Sequence, residues 1–176
     1  MAGHSKWTQI KRQKGANDAA KSNMWGKLSR RITIESKKAN GDMSAASVRA
    51  IIETAKAANM TKDTIERAVA KGMSADAGSL ESIVYEAYGP GGAALVIDVL
   101  TDNRNRTVQE IKHLLSKNGI ALAAPGSALW AFDKIAEGYT PKTTVKLSEA
   151  DDASLMRLME QINEHDDVQD VYTNAA

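Results

Sequence analysis

The sequence predicts an α+β protein in two parts. A basic arm and three-helix domain occupy residues 1–77. Residues 78–176 follow as a β-β-α-β-β-α-β sandwich with helices on one face of a mostly antiparallel sheet. Three observations predict this division. Up to residue 72, apolar side chains recur at the spacing of one helix face. Beyond residue 79 they gather into β-rich runs of five to eight residues bounded by Gly, Pro or acidic turns. Between the two lies Met73–Ser79, MSADAGS, small and polar enough for a linker.

Residues 1–16 show no period. Lys6, Lys11, Arg12 and Lys14 alternate with Trp7 and Ile10, and Gly15 closes an arm expected to be extended or only locally ordered. A charge run is ordinarily a solvated tail, but an indole in a cationic arm either docks on the protein's own body or stacks on a base. Asn17 or Asp18 suits the cap of a first helix. Met24, Leu28 and Ile32, with Trp25 beside them, form its apolar stripe. Lys21, Lys27, Arg30, Arg31, Lys37 and Lys38 occupy much of the rest, and Asn40-Gly41 is a stop signal. Ser44 is placed as the cap of a second helix bearing Val48, Ile51, Ile52 and Ala55 on one face and stopping near Asn59. Thr61 starts a third, with Asp63 and Glu66 early, Ile65, Ala68 and Val69 on one face, and Gly72 at its end. None of the three buries its stripe alone, so they make one helical domain.

In the second part, Ser82–Tyr88 and Ala93–Leu100 read as strands joined through Gly89-Pro90-Gly91-Gly92. Those glycines make a turn rather than a phosphate loop, because no GK[ST] follows and the next element is a strand. Thr101–Thr107, TDNRNRT, leads into a helix with Val108, Ile111, Leu114 and Leu115 on one face. Arg104 and Arg106 are misplaced for the helix dipole there, which leaves two roles open: a salt bridge across the domain or a hold on a phosphate. Ala128–Phe132 is read as a third strand with Trp130 and Phe132 on one face, Gly138–Pro141 as a turn, and Thr143–Leu147 as a fourth strand. Ser148 caps the last helix with Asp151 as its capping-box partner, and Leu155, Leu158, Met159 and Ile162 form the stripe. Asp166-Asp167 precede a final strand, Val168–Tyr172.

Composition narrows the function. The first 38 residues hold ten Lys or Arg against two acids, a net of +8, so in a chain of net +1 the other 138 carry −7. Such an arm suits a polyanionic partner. The absence of cysteine excludes disulfides, thiolate metal sites and Cys nucleophiles. No apolar run has the length of a membrane span, and no apolar core follows the basic N-terminus, so a cytoplasmic location is expected. His4, His113 and His165 share no metal spacing, no GxSxG elbow or nucleotide glycine pattern occurs, and the acid pairs Asp151-Asp152 and Asp166-Asp167 sit at helix edges. No enzyme activity, catalytic residue, metal or cofactor is assigned.

Several longer stretches resemble one family. Gly3-His4-Ser5-Lys6-Trp7 with Ile10, Lys11 and Lys14, then Asp18, Lys27 and Leu28, is similar to the N-terminal signature of the YebC family. Tyr85–Gly92 (YEAYGPGG) and TDNRNRT resemble its central motifs. Asp166-Asp167-Val168-Gln169 with Val171, Tyr172 and Asn174 resembles its C-terminal one. The resemblance implies a bacterial cytoplasmic or organellar protein without catalytic activity that regulates gene expression. Members are labelled transcriptional regulators that bind DNA; others, the mitochondrial translational activator of cytochrome c oxidase among them, resemble ribosome-associated factors that help translation. The resemblance also implies a third domain, inserted between the strands placed at Ala128–Phe132 and Thr143–Leu147, where only a loop, residues 133–142, is expected here. Trp25 stands for a family Phe, Arg31 for Glu, and Thr61 for Pro.

The expected function is therefore a non-enzymatic, nucleic-acid-binding regulator of gene expression, ribosome- or RNA-associated and acting in translation. A DNA-binding transcriptional regulator is the alternative, with Glu66 and Arg67 as the candidate base readers. An adaptor using the acidic second part is a third. Candidate nucleic-acid contacts are Lys6, Trp7, Lys11, Arg12, Lys14, Lys21 and Lys27, joined by Arg104 and Arg106. The partner is ribosomal RNA or duplex DNA, with the ribosome behind the former; no membrane or small-molecule substrate is expected.

Overall fold

A computed structural model describes residues 18–136 and 138–176. The chain packs as two units. In the helical unit, α1 (Asp18–Lys38), α2 (Ala46–Ala57) and α3 (Lys62–Gly72) enclose a core of Leu28, Ile32, Val48, Ile51, Ile52, Ala55, Met60, Ile65, Ala68 and Val69. Asp18 in the first turn of α1 and Lys37 and Lys38 in its last complement the helix dipole. Positive φ at Asn40 and Gly41 ends α1. Thr61 caps α3 through Thr64 N. Two expectations change. Ala45, not Ser44, is the cap residue of α2; Ser44 instead donates its N–H and hydroxyl to the Asp42 carboxylate at 2.8 and 2.6 Å. Those bonds, the side-chain one first, hold Asp42 below its ordinary pKa. Met24 is exposed, and Trp25 takes its place in the apolar stripe, with its indole N–H on Ala58 O at 3.0 Å. The linker carries a short 3₁₀ helix, Ala75–Ser79.

The second unit has the order β1 (Glu81–Tyr88), β2 (Ala94–Thr101), α4 (Arg104–Lys117), β3 (Phe132–Ile135), β4 (Gly138–Pro141), α5 (Glu149–Glu164) and β5 (Val168–Thr173). Its strands form two sheets, β1-β2-β5 and the hairpin β3-β4. β5 runs antiparallel to β2, with Leu95 opposite Thr173 and Ile97 opposite Val171, and the register shifts between Asp98 and Val99. β2 is buried along nearly its whole length because both its faces are covered. Leu95, Ile97 and Val99 pack on Ile111 and Leu115 of α4 and on Leu155, Leu158, Met159 and Ile162 of α5. Ala94 and Val96 face Ala128, Ala131, Phe132 and Tyr172. Helices thus cover one face, and the hairpin with its preceding loop covers the other. Ser148 caps α5 as expected, accepting from Asp151 N at 3.1 Å and bonding its carboxylate at 2.8 Å.

The third and fourth strands lie elsewhere than predicted. Leu129–Ala131 is a 3₁₀ turn, and the strand begins at Phe132. Gly138–Pro141, read as a turn, is β4, so residues 133–142 are mostly hairpin rather than loop. Thr143–Leu147 supplies one isolated parallel bridge, Val145 to Ala175. Trp130 and Phe132 do not share a face: Phe132 is 4% exposed and Trp130 59%. The physical reason is Glu86. Its buried carboxylate accepts the amides of Gly126, Ala128 and Leu129 at 2.6–2.8 Å and winds that run into a turn. On the same face, Tyr139 stacks edge-on to Tyr172, ring centres 5.4 Å apart. Burial, then the charges of Asp98 and Glu86, pushes the Tyr139 hydroxyl above its ordinary pKa.

Candidate nucleic-acid interface

Lys6, Trp7, Lys11, Arg12 and Lys14 lie outside the described residues. The two remaining candidates on α1 differ in setting. Lys21 is exposed and stands over the Trp25 ring, 5.1 Å from its centre. Lys27 is buried at 9% exposure and has polar or charged neighbours of its own, which takes it off the open cationic surface. Arg30 and Arg31 are half-buried, and Lys37 and Lys38 are exposed, so the basic side of α1 continues past Lys27 to its C-terminus. Lys38 is paired with Glu35 at 2.8 Å, a surface contact one turn apart.

Arg104 and Arg106, on the other unit, part ways. Arg104 is exposed and makes no ion pair among the described residues. Arg106 donates from Nη2 to Asp167 Oδ2 at 2.8 Å, and the Thr107 hydroxyl reaches the same oxygen at 2.6 Å. Of the two roles left open for this pair, the structure shows the salt bridge for Arg106. Asp167, expected at an ordinary helix edge, is 2% exposed. It is the residue sequence reasoning missed here, and the two arginines at a helix start were its signal.

The network continues through His165. Its Nδ1 accepts Asp167 N–H at 3.1 Å, so Nε2 carries the proton toward Glu110 Oε2 at 2.9 Å. Glu110, His165 and Asp167 bring donor atoms within 4.8 Å of one another, as a metal site would. The Asp167 oxygen and His165 Nδ1 are already spent on Arg106, Thr107 and a backbone amide, and the guanidinium opposes a cation, so the arrangement serves as an ion-pair brace. Asp167→Asn should lower the unfolding free energy by about 2 kcal/mol because it strips the acceptor charge from Arg106. Arg104→Ala should change it by less than about 0.5 kcal/mol. Urea unfolding of both variants checks the contrast; equal losses would mean that the brace contributes nothing.

The glycine-rich turn is structural. Gly91 has φ +66°, and a Cβ there would lie 2.5 Å from the Leu147 side chain. Among the described residues no helix is long and apolar enough to cross a membrane.

A helical unit with a basic first helix is thus followed by an α+β unit in which Arg106 pairs with the buried Asp167, and together they define a two-unit α+β class of protein. The sequence model of the TACO1/YebC N-terminal domain matches residues 5–75, and that of the TACO1/YebC second and third domain matches 80–137 and 134–175. The chain belongs to the TACO1/YebC family. A probable transcriptional regulatory protein of Petrotoga mobilis is 51% identical over 148 residues, covering 83% of this chain and 59% of the relative. One from Thermosipho africanus is 36% identical over 235 positions, covering 99% of this chain and 93% of the relative. A crystal structure of a conserved hypothetical protein, Aq1575 from Aquifex aeolicus, superposes with TM-score 0.81 at 26% identity, covering 90% of this chain and 91% of that one. This chain spans less than two thirds of the Petrotoga relative's length. The Thermosipho alignment has 235 positions against 176 residues here, so at least 59 positions (235 less 176) have no counterpart.

Proposed function

We propose that this protein is a non-enzymatic regulator of gene expression that binds nucleic acid through its basic arm and α1 and acts on ribosomal RNA in translation. The observation that carries this is the charge division: a net +8 over residues 1–38 against −7 over the rest. Lys6, Lys11, Arg12, Lys14 and Lys21 supply phosphate contacts and Trp7 a stacking surface, which gives affinity with little sequence readout. Arg104 adds an exposed cation on the second unit. RNA shape and backbone suit such a set. The relatives' names favour the second reading, a DNA-binding transcriptional regulator. In this reading the further domain of longer relatives is inserted at the β3–β4 hairpin, which is supported by the two matched segments that overlap at residues 134–137.

Co-sedimentation with ribosomes across a salt series, with excess duplex DNA as competitor, tests the two. Ribosome binding that falls with salt and withstands the competitor supports the translation role, and Lys11→Glu with Lys14→Glu should then abolish it. Binding lost to the competitor, with a log–log salt slope of about −0.9 per phosphate contact, supports the DNA role. Binding to neither overturns both.

A further inference from the structure

Building on the nucleic-acid role above, we propose that a groove between α1 and α3 is a second phosphate-binding site, one that holds a backbone phosphodiester of the bound nucleic acid. The groove encloses about 250 Å³ and is lined by Arg30, Arg67 and Lys71 together with the hydroxyl residues Ser29, Thr33 and Thr64. That is the volume of about eight waters, enough for a phosphodiester and part of its sugar. Among the described residues no carboxylate lines it.

The walls are fixed by packing. One turn beyond Arg30, the Thr33 hydroxyl bonds Ala68 O at 3.0 Å, and the Ser36 hydroxyl bonds Val69 O at 2.9 Å. Gly72 permits the approach, since a Cβ there would stand 2.6 Å from Thr33 O. With the helices pinned at that point, Arg67 and Lys71 lie one turn apart on α3 and face Arg30 on α1. Arg67 is exposed and bonds through Nε to Asp63 O on its own helix at 3.3 Å, a bond that does not use its terminal N–H groups. Lys71 has no ion-pair partner among the described residues, although other exposed lysines of this unit do: Lys56 pairs with Glu53 and Lys62 with Glu66. Forked guanidinium donors and a lysine point charge are the groups that grip phosphate oxygens. Arg67 and Lys71, like charges one turn apart on α3, repel one another, and an anion between them relieves that repulsion.

Fluorescence anisotropy of the full chain with a labelled RNA hairpin and a labelled DNA duplex tests the site. Arg67→Ala plus Lys71→Ala removes two exposed side chains and leaves the core intact. It should weaken binding about tenfold and flatten the log–log salt slope on the duplex by about 1.8, two contacts' worth. Lys56→Ala plus Lys62→Ala removes the same charge from the same unit outside the groove, and should weaken binding less than about twofold. Equal losses from the two pairs, or no loss from the first, overturn the groove. If Lys11→Glu with Lys14→Glu abolishes binding while Arg67→Ala plus Lys71→Ala does not weaken it, the groove alone fails. If the unaltered chain binds neither probe, the nucleic-acid role fails and the groove with it. The probe that responds more strongly to the groove variant identifies RNA or DNA as the ligand.

Discussion

Replacing Glu86 by Ala should lower the unfolding free energy by about 4 kcal/mol, near the top of what single substitutions do. The side chain is almost fully buried and accepts three backbone amides, from Gly126, Ala128 and Leu129, within 2.8 Å. Hydrogen bonds to a charged acceptor each contribute about 1.5–3 kcal/mol, and removing the acceptor orphans three donors at once. Ala128 and Ala131, held inside the second sheet-face cluster by this turn, would lose their positions as well. Glu86→Gln should cost about half as much: its oxygen still serves two amides, while its NH₂ meets the third amide donor to donor. Urea unfolding gives the totals, and hydrogen exchange at the three amides gives the mechanism. An unchanged midpoint with slow exchange there would mean that the turn holds itself.

The same residues explain the YEAYGPGG stretch as scaffold. Glu86 fastens the turn at 126–131, and the Tyr88 hydroxyl donates to Ser127 O while accepting the Trp130 indole N–H at 3.1 Å. Trp130 is thereby presented outward while its neighbours go inward. A run of apolar residues at 128–132 carries no mark of this in its own sequence, because the group that bends it sits some forty residues earlier. Pattern alone therefore misplaces the third strand while it places the helices. Val48, Ile51, Ile52 and Ala55, or Leu155, Leu158, Met159 and Ile162, state their burial by spacing alone, and all eight are buried.

The candidate interface divides in the same way. Charge asymmetry is a sum over sequence and is legible without a structure. Which cations share a surface is not. Lys27 lies one turn from Arg30 and Arg31 and is buried, whereas Arg67 and Lys71, over thirty residues on, come to line one groove with Arg30. Arg106 announced a second role by its unfavourable place at a helix start, but Asp167, which satisfies it, was hidden by ordinary helix-edge chemistry.

Gly72 should show the sharpest reversal of helix propensity. In an open helix, Gly to Ala gains about 1 kcal/mol. Gly26, in α1, has nothing within 4 Å of an added Cβ, so Gly26→Ala should realise that gain. At Gly72 an added Cβ would sit 2.6 Å from Thr33 O, 2.8 Å from Ser36 Cβ and 2.9 Å from Ser36 Oγ. The nearest of these is main chain of α1, which cannot rotate away. Either α1 and α3 separate, losing the Thr33–Ala68 and Ser36–Val69 bonds at about 1 kcal/mol each, or the core takes overpacking strain of about 1–3 kcal/mol. Gly72→Ala should therefore cost about 2 kcal/mol and Gly72→Val, with two more carbons at the crossing, about 4 kcal/mol. Separation would also carry Arg30 away from Arg67 and Lys71, so a folded Gly72→Ala protein should bind the RNA and DNA probes with the weakened affinity of the groove variant. Thermal unfolding of the Gly26 and Gly72 variants side by side decides the packing: a Gly72→Ala protein stabilised as much as Gly26→Ala would show that the helices do not cross at this contact, and the walls of the groove would lose their support.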